Sequence, residues 1–298
     1  PTSFVQLHLL NVSKLIPALH GHPKTVRIND VAYDGSAAVG SFANPPDKYD
    51  GRRFFIYTKS SGIQEIEALR GQPAVGMRIS SNGAVVWGSF YDYRRGTHAG
   101  VFRWTREGGV EELGSFGQRG LKIEATSADG QVVVGDFIYS MTTPTYHAFR
   151  YSQSRGFEDL GAMGADSAAA RGISGDARWV AGHLHFRKGP SHISHGFVHS
   201  ETTGLHHIPP HFGRAAFASS ISNDGSVVVG TYHAECGFVE CTDAPFVYTR
   251  QTGVKTILEI SAHSIARIVV SPDGTQLSGA YMDSDLESYI FTGTLVIE

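Results

Sequence analysis

The chain has 298 residues, a formal net charge of −3 and a pI near 6.6. This low, balanced charge argues against a nucleic-acid surface driven by bulk charge, and no run of about 18 apolar residues indicates a transmembrane helix or membrane insertion. Glycine is abundant, with 35 residues, which suits tight turns and short strands better than long helices. Because the chain begins at Pro1 without a methionine, we expect a processed chain from which any signal peptide is missing.

Six segments share one pattern, which reads I-S-x-D-G-x-V-V-V-G in its clearest form. The glycines that close them are 48, 47, 47, 48 and 49 residues apart: Gly40, Gly88, Gly135, Gly182, Gly230 and Gly279. The Asp-Gly and Asn-Gly pairs supply the positive φ that hairpin turns need. An internal repeat of about 40–50 residues with this content is typical of β-propeller blades.

A second signature, aromatic-x-aromatic-Ser/Thr, follows each repeat. Its first aromatic residues are Phe55, Phe102, Phe149, Phe197, Phe246 and Tyr289, and the fourth copy replaces the second aromatic with His199. Residues two apart on a strand face the same side, so we predict that these rings fill the core between blades. A glycine-containing turn and a fourth strand follow each copy except the last.

These patterns predict an all-β fold, a six-bladed β-propeller with four antiparallel strands per blade. The expected blades, in one domain over 1–298, are 27–69, 76–114, 123–161, 169–208, 216–258, and 266–298 together with 3–8. The last blade lacks its fourth strand, whereas residues 4–7 match the fourth-strand pattern. We therefore expect the N-terminal strand to close the last blade and cover its edge.

The two signatures resemble the HAF repeats of bacterial extracellular proteins, named for a His-Ala-Phe motif. The motif is intact at His147-Ala148-Phe149 and approximate at His195-Gly196-Phe197, and the resemblance covers essentially the whole chain. It implies a secreted, periplasmic or cell-surface protein of bacterial origin. It implies no particular activity.

The predicted strand order separates two faces. The Asp-Gly turns and the turns after each aromatic strand share one face, where their short, similar lengths indicate a structural role. The loops between second and third strands, with the links between blades, share the other face and hold most of the 15 histidines. Because variable loops on a uniform scaffold usually carry function, we predict one composite site on this second face.

Tyrosine, histidine and arginine residues of that face are the candidate site residues. Acid–base chemistry on a sugar acid needs a cation for the carboxylate and a Tyr or His that moves the proton. The candidate catalytic residues are His185, Tyr91, Arg94 and His98. The candidate ligand-binding residues are Tyr93, Asp92, His147, His183, Arg187, His233, Arg78, Arg171 and Tyr281. The arginines that precede first strands have an alternative role, pairing with nearby carboxylates.

A histidine trio raises the question of a metal. His183 and His185 share one face of a strand, and His233 stands in the equivalent part of the next blade. A divalent metal at this trio would need another ligand, such as Asp136 or Asp92. A rim of hydrogen-bonding histidines is the simpler interpretation, and we expect no cofactor.

The two cysteines, Cys236 and Cys241, bracket the tip of one loop. In an exported protein we predict that they form a disulfide. A C-x4-C pair alone is not a zinc site.

Two functions of different classes fit these features. The first is a recognition module, a monomer that binds an extracellular ligand such as an anionic glycan, a peptide or a host protein. The second is a carbohydrate-active enzyme, a lyase or hydrolase of an acidic glycan, with its site at the axis end of the same face. The absence of a strict catalytic motif favours the first.

Overall fold

The computed structural model describes residues 25–32, 36–43, 52–58, 60–66, 69, 74–92, 97–188, 191–210, 215–233, 243–257, 264–282 and 288–295. Every regular element in these ranges is a β-strand, and the 23 strands are labelled β1 to β23 in chain order. No helix in this part of the chain is long and apolar enough to cross a membrane. The described residues fall into two compact units, an N-terminal unit up to Leu160 and a C-terminal unit from Gly161 onward.

The N-terminal unit contains three four-stranded antiparallel sheets, each built from consecutive strands. The first sheet has β1 (Thr25–Val31), β2 (Ala37–Ala43), β3 (Arg52–Thr58) and β4 (Gly62–Glu65). The second has β5 (Ala74–Ile79), β6 (Val85–Asp92), β7 (Thr97–Thr105) and β8 (Gly109–Gly114). The third has β9 (Arg119–Thr126), β10 (Val132–Ser140), β11 (Thr145–Ser152) and β12 (Gly156–Gly161).

The C-terminal unit contains an eight-stranded sheet and a three-stranded sheet. The larger sheet begins with β13 (Ser167–Ile173), β14 (Trp179–Lys188), β15 (Ser191–Ser200) and β16 (Gly204–Ile208). It continues with β17 (Ala215–Ile221), β18 (Val227–His233), β19 (Asp243–Thr249) and β20 (Gly253–Thr256). The smaller sheet has β21 (Ser264–Val270), β22 (Gln276–Met282) and β23 (Ser288–Thr294).

The described strands therefore form five hydrogen-bonded sheets, not the six separate sheets that six blades of four strands would give. A single parallel pair between Ser194 and Ala215 joins β15 to β17, so two groups of four strands count as one hydrogen-bonded sheet. The last sheet shows three strands among the described residues. The strand predicted at residues 4–7 to complete it lies outside the described residues.

The repeated Ser-x-Asp segment forms a compact hydrogen-bonded turn before the second strands β10, β14, β18 and β22, and a Ser-x-Asn segment does so before β6. In the turn before β18, Ser222 Oγ donates to Asp224 Oδ1 over 2.7 Å and accepts from the Val227 backbone N–H over 3.0 Å. Asp224 Oδ1 also accepts from the Ser226 N–H over 3.0 Å. The serine is fully buried in this turn. The turn motif is therefore explained by local satisfaction of backbone donors.

The glycine that closes each repeat lies opposite the aromatic residue of the third strand. Gly88 pairs with Phe102, and Gly230 pairs with Phe246. A Cβ at Gly88 would lie 2.5 Å from the Phe102 ring, and one at Gly230 would lie 2.6 Å from the Phe246 ring. Only glycine leaves room for the ring, so the two repeated signatures are the two sides of one cross-strand contact.

The same pairing corrects the register that we predict for the last repeat. Gly279 lies opposite Phe291, not opposite Tyr289. Phe291 is therefore the first aromatic of the motif, and Gly293 takes the place of the second. Phe291 is buried like the equivalent Phe55 and Phe149. Spacing alone predicts the wrong register for this copy, because another aromatic residue, Tyr289, stands two positions before Phe291.

Apolar clusters fill the space between successive groups of four strands. Val39 of the first sheet packs in one cluster with Met77 of the second. In the C-terminal unit, Trp179 of β14 packs in one cluster with Phe246 of β19. The first aromatic residue of the motif is buried as predicted in five copies, at Phe55, Phe102, Phe149, Phe197 and Phe246, and in the last copy Phe291 is buried in place of the predicted Tyr289. Burial of these rings is the main source of stability in such sheets.

Replacing Ala177 with glycine is expected to stabilise the protein. Ala177 has a φ of 60°, in a turn position where the equivalent Gly225 has a φ of 71°. An L-residue in this region costs about 1–2 kcal/mol, and part of that gain is offset by the larger backbone entropy of glycine in the unfolded chain. We expect the free energy of unfolding to rise by about 1 kcal/mol, measured by urea denaturation.

Ala84 provides the matched control for this substitution. It is exposed, follows a turn glycine and is not among the residues with positive φ. Ala84→Gly should lower the stability slightly because only the entropy cost remains. A destabilised Ala177→Gly variant would contradict the strain at position 177.

Candidate ligand-binding site

Three predicted site residues form a row in the C-terminal unit, which we call the histidine row: His183 and His185 of β14, and His233 of β18. The His183 and His185 rings are 6.0 Å apart, and the Phe217 ring lies 4.8 Å from both His183 and His233. Phe217 belongs to β17, so the row crosses from one group of four strands to the next. The row exists because β14 and β18 both end at the same side of the sheet.

The His185 ring is hydrogen-bonded to a buried hydroxyl group. Its Nδ1 lies 2.7 Å from the Oγ of Ser194, which is only 2% exposed. Although His185 as a residue is exposed, partial burial of its ring lowers its pKa. Electrostatic interaction with His192 and Arg187 lowers the pKa further, and a hydrogen bond with the Ile193 backbone opposes the shift. His185 is consequently neutral near pH 7 and becomes charged only in more acidic solution.

The His233 ring likewise contacts a buried carboxylate. Its Nδ1 lies 3.0 Å from Asp243 Oδ1, and the side chains are 48% and 6% exposed. Asp243 Oδ2 accepts a second hydrogen bond, 2.9 Å long, from the backbone N–H of Ile265. The carboxylate thus fixes the His233 ring and also links β19 to β21.

These contacts define which ring atom each histidine presents. Because Asp243 can only accept, the His233 Nδ1 carries a proton, and its Nε2 accepts in the neutral ring and donates in the charged ring. The Nδ1 of His185 is likewise occupied by Ser194. In both histidines Nε2 is therefore the ring nitrogen that Ser194 and Asp243 leave unoccupied. Burial raises the pKa of the neighbouring Tyr232 to about 12, so its phenol stays protonated and is no base.

Two of the predicted arginines lie in the same unit. Arg187 follows His185 by two residues in β14, is exposed, and donates its backbone N–H to Asp166 Oδ2 over 2.7 Å. Arg171 occupies a β-bulge between Ala170 and Gly172 in β13. Bulges re-aim side chains and are frequent beside functional sites. The positive charge of Arg187 also lowers the pKa of His185, although less than burial and His192 do.

Two other predicted residues lie in the N-terminal unit with protein partners. His147 Nδ1 is 3.0 Å from both carboxylate oxygens of Asp159, and its ring stacks on Tyr139 at 3.8 Å. Arg78 donates to the Glu124 backbone oxygen over 2.6 Å and to its carboxylate over 3.1 Å. The contact of Arg78 matches the alternative of carboxylate pairing. A ligand-binding role for either residue stays a prediction.

Some of the predicted site residues lie wholly outside the described structure. For others only the backbone is described. Tyr93, Arg94, Cys236 and Cys241 lie outside the described residues, and with them the predicted disulfide. For Tyr91, Asp92, His98 and Tyr281 the backbone alone is described. The register pairs Tyr91 with His98 and Asp92 with Thr97 across β6 and β7.

A divalent metal at the histidine row stays a prediction. Phe217 lies between His183 and His233, with its ring 4.8 Å from each. Within the described ranges no group of three or more His, Cys, Asp or Glu residues is placed to hold a metal ion. Asp136, named above as a fourth ligand, belongs to β10 of the N-terminal unit.

Sequence reasoning missed the two residues that anchor the row, Ser194 and Asp243. Both stand at strand positions whose side chains are buried, at 2% and 4% exposure. A buried polar residue must have hydrogen-bond partners, so a short polar residue among inward-facing strand positions is the signal that could have found them. The pairing with a specific histidine depends on strand register, which the pattern alone does not specify.

Comparison with protein-family models and with curated protein sequences finds no match to the chain. Solved structures do match. TolB from Acinetobacter baumannii superposes with a TM-score of 0.57 at 13% identity, covering 88% of this chain and 64% of that chain. The β-propeller domain of the Trilobed protease from Pyrococcus furiosus, with an open velcro topology, gives 0.63 at 11% identity, covering 90% and 83%.

An acylaminoacyl peptidase from Pyrococcus horikoshii gives a TM-score of 0.60 at 11% identity, covering 90% of this chain and 44% of that chain. The chain thus spans less than two thirds of the length of this peptidase and of the Acinetobacter protein. At such low identities the likeness defines the fold alone. The protein has an all-β β-propeller fold.

Proposed function

We propose that the protein is a ligand-binding β-propeller whose histidine row recognises an anionic ligand, an acidic glycan in particular. The observation that carries the proposal is the anchoring of His185 and His233. Each ring has its Nδ1 against a buried partner, Ser194 or Asp243, which leaves Nε2 as the other ring nitrogen. In its charged form each ring donates from Nε2, and a donor whose ring is already held in place binds an anion without a large ordering cost.

The surroundings support an anion rather than a cation. Arg187 is exposed two residues beyond His185, and His192 lies close enough to His185 to lower its pKa. His183 and Phe217 add ring surface between the anchored histidines. A sugar ring that carries a carboxylate would use both the charge and the ring surface.

The finer features of the proposal follow from the repeats. We propose that the strands make six blades, supported by six copies of the repeat and by the single pair, Ser194 with Ala215, that joins two groups of four strands. A fourth strand from residues 4–7 would then complete the last sheet. An exported bacterial protein of the HAF-repeat type, with a Cys236–Cys241 disulfide, is part of the same proposal. The TolB likeness is consistent with a periplasmic or extracellular location.

A second candidate function is an enzyme that acts on the same class of ligand. The pairing of Tyr91 with His98 in the β6–β7 register favours it, because tyrosine and histidine are suited to acid–base work. The titration described next separates the two functions. An acidic oligosaccharide that is cleaved, with new ends in the products, indicates the enzyme, whereas an intact one indicates the binding module.

Alanine substitutions at the histidine row are expected to weaken binding of an acidic oligosaccharide such as oligogalacturonate. His185→Ala and His233→Ala should each raise the Kd about 10-fold or more, because a hydrogen bond to a charged group contributes about 1.5–3 kcal/mol. Binding should strengthen as the pH falls below the ordinary histidine pKa, because His185 is neutral near pH 7 and gains its charge in acid. Isothermal titration calorimetry measures both effects.

His207 is the matched control, an exposed histidine on the outermost strand β16. His207→Ala should leave the Kd unchanged. Equal binding by the wild type, His185→Ala and His233→Ala would rule out the histidine row as the site. A pH-independent Kd would argue against a charged His185 in the complex.

A further inference from the structure

In β2, β6, β14 and β18 the first residue of the strand lies against a turn glycine of the following group of strands. At this repeat position stand Ala37 in β2, Val85 in β6, Trp179 in β14 and Val227 in β18. A Cβ at Gly83 would lie 2.7 Å from the Ala37 Cβ, one at Gly130 would lie 2.6 Å from the Val85 Cβ, and one at Gly274 would lie 2.9 Å from Val227. Because each glycine lies against this residue, the side chain at this position decides what occupies the space beside the turn.

In the C-terminal unit an indole fills this space. Trp179 is only 8% exposed and packs in the cluster between β14 and β19. The Arg250 guanidinium lies 4.1 Å from the centroid of the Trp179 ring. Arg250 is the first residue after the last threonine of β19. In this group of strands an aromatic ring therefore lies beside a turn glycine, and an arginine covers one face of the ring.

In the N-terminal unit the equivalent space is open. Ala37 replaces the tryptophan, and a cleft of about 460 Å³ lies between the first two sheets. Arg106 is the first residue after the last threonine of β7, the position that Arg250 holds in its own sheet. The residues lining the cleft include Ala37, Gly83, Trp104 and Arg106, with Thr58, Ser60 and Asn82 as polar groups.

We propose that this cleft binds an uncharged planar aromatic ring, seated as the Trp179 indole is seated in the C-terminal unit. Arg106 would cover one face of the ring through a cation–π contact, and Trp104 would contribute aromatic surface. Glu107 also lines the cleft and offsets the charge of Arg106, which favours a neutral ring over an anionic one. The volume lies within the range of small-molecule sites, about 300–1,000 Å³, so a ring with a polar substituent fits.

The site is independent of the histidine row and of the proposed anionic ligand. It lies among the short turns for which we predict a purely structural role. The chemistry is that of the ring, which can come from a free aromatic compound or from an aromatic side chain of a peptide. The comparison that supports it is internal to the chain, because the same repeat position carries alanine in one sheet and tryptophan in another.

The test is titration of the full chain with indole and with N-acetyl-tryptophanamide by isothermal titration calorimetry. We expect saturable binding with one site per chain. Ala37→Trp should abolish it, because its own indole occupies the cleft, and Arg106→Ala should weaken it about 3- to 10-fold. Arg178→Ala removes an exposed arginine from another turn and should bind like the wild type, since that side chain is 81% exposed and does not line the cleft.

Circular dichroism checks that each variant folds, and Ala37→Leu, which partly fills the cleft, replaces Ala37→Trp if that variant does not fold. Tighter binding of the capped tryptophan than of indole supports a peptide source of the ring, and equal binding supports a free aromatic compound. Absence of saturable binding by both probes overturns the proposal. So does an Ala37→Trp variant that folds and binds like the wild type.

Discussion

The Gly225→Ala variant is expected to lose about 2–5 kcal/mol of unfolding free energy. Gly225 has a φ of 71°, where an L-residue costs about 1–2 kcal/mol. A Cβ there would also overlap the Trp179 ring of the preceding group of strands. Overpacking of this kind costs about 1–3 kcal/mol, because a rigid indole held by neighbouring side chains cannot move aside cheaply.

Gly253 separates the two contributions. It has a φ of 69°, close to that of Gly225, but nothing lies within 4 Å of the Cβ that alanine would add. Gly253→Ala should therefore show the backbone cost alone. Urea denaturation of both variants, with unchanged m-values, gives the packing contribution as the difference. Equal losses in the two variants would show that the contact between Gly225 and Trp179 contributes little.

The Asp243→Ala variant is expected to lose about 2–4 kcal/mol of unfolding free energy. The carboxylate is buried and accepts two hydrogen bonds, from His233 Nδ1 and from the Ile265 backbone N–H. Its removal leaves a buried backbone donor without its acceptor and breaks a link between β19 and β21. The same variant should weaken ligand binding, because the His233 ring loses the group that orients it.

Asp159 is the control for this prediction. It pairs with His147 over a similar distance, 3.0 Å, but its side chain is 40% exposed. Exposed ion pairs contribute about 0–1 kcal/mol, so Asp159→Ala should cost much less than Asp243→Ala. Asp243→Asn keeps an acceptor for Ile265 and should fall between the two. If the two alanine variants lose equal stability, the importance of the buried carboxylate is wrong.

Much of the strand arrangement could be predicted because the repeated residues solve local problems. Ser222, Asp224 and their equivalents satisfy backbone donors within one turn, so the turn is visible in the sequence. Gly88 lies opposite Phe102 on the neighbouring strand, so one repeated residue makes room for the other. The register of the last copy could not be predicted from spacing, because Tyr289 matches the aromatic pattern whereas Phe291 is the residue that lies opposite Gly279.

The candidate site was predicted only in part. His183, His185 and His233 are recognisable as a group because the repeats align their strands. Their partners are not, because the contact between His233 and Asp243 depends on the register of β18 and β19, and the contact between His185 and Ser194 depends on the register of β14 and β15. The position of Phe217 between two histidines also depends on how one group of strands packs against the next.

The sequence by itself determined the all-β repeat and the role of its glycines, aromatic residues and Ser-x-Asp turns, because these contacts lie within one hairpin or between neighbouring strands. Only the tertiary structure decided what differs between copies. It showed that a single parallel pair joins two groups of strands, and that Trp179 fills a space which Ala37 leaves open. These features depend on contacts between successive sheets, where the size or charge of one residue acts on a partner about 50 residues away.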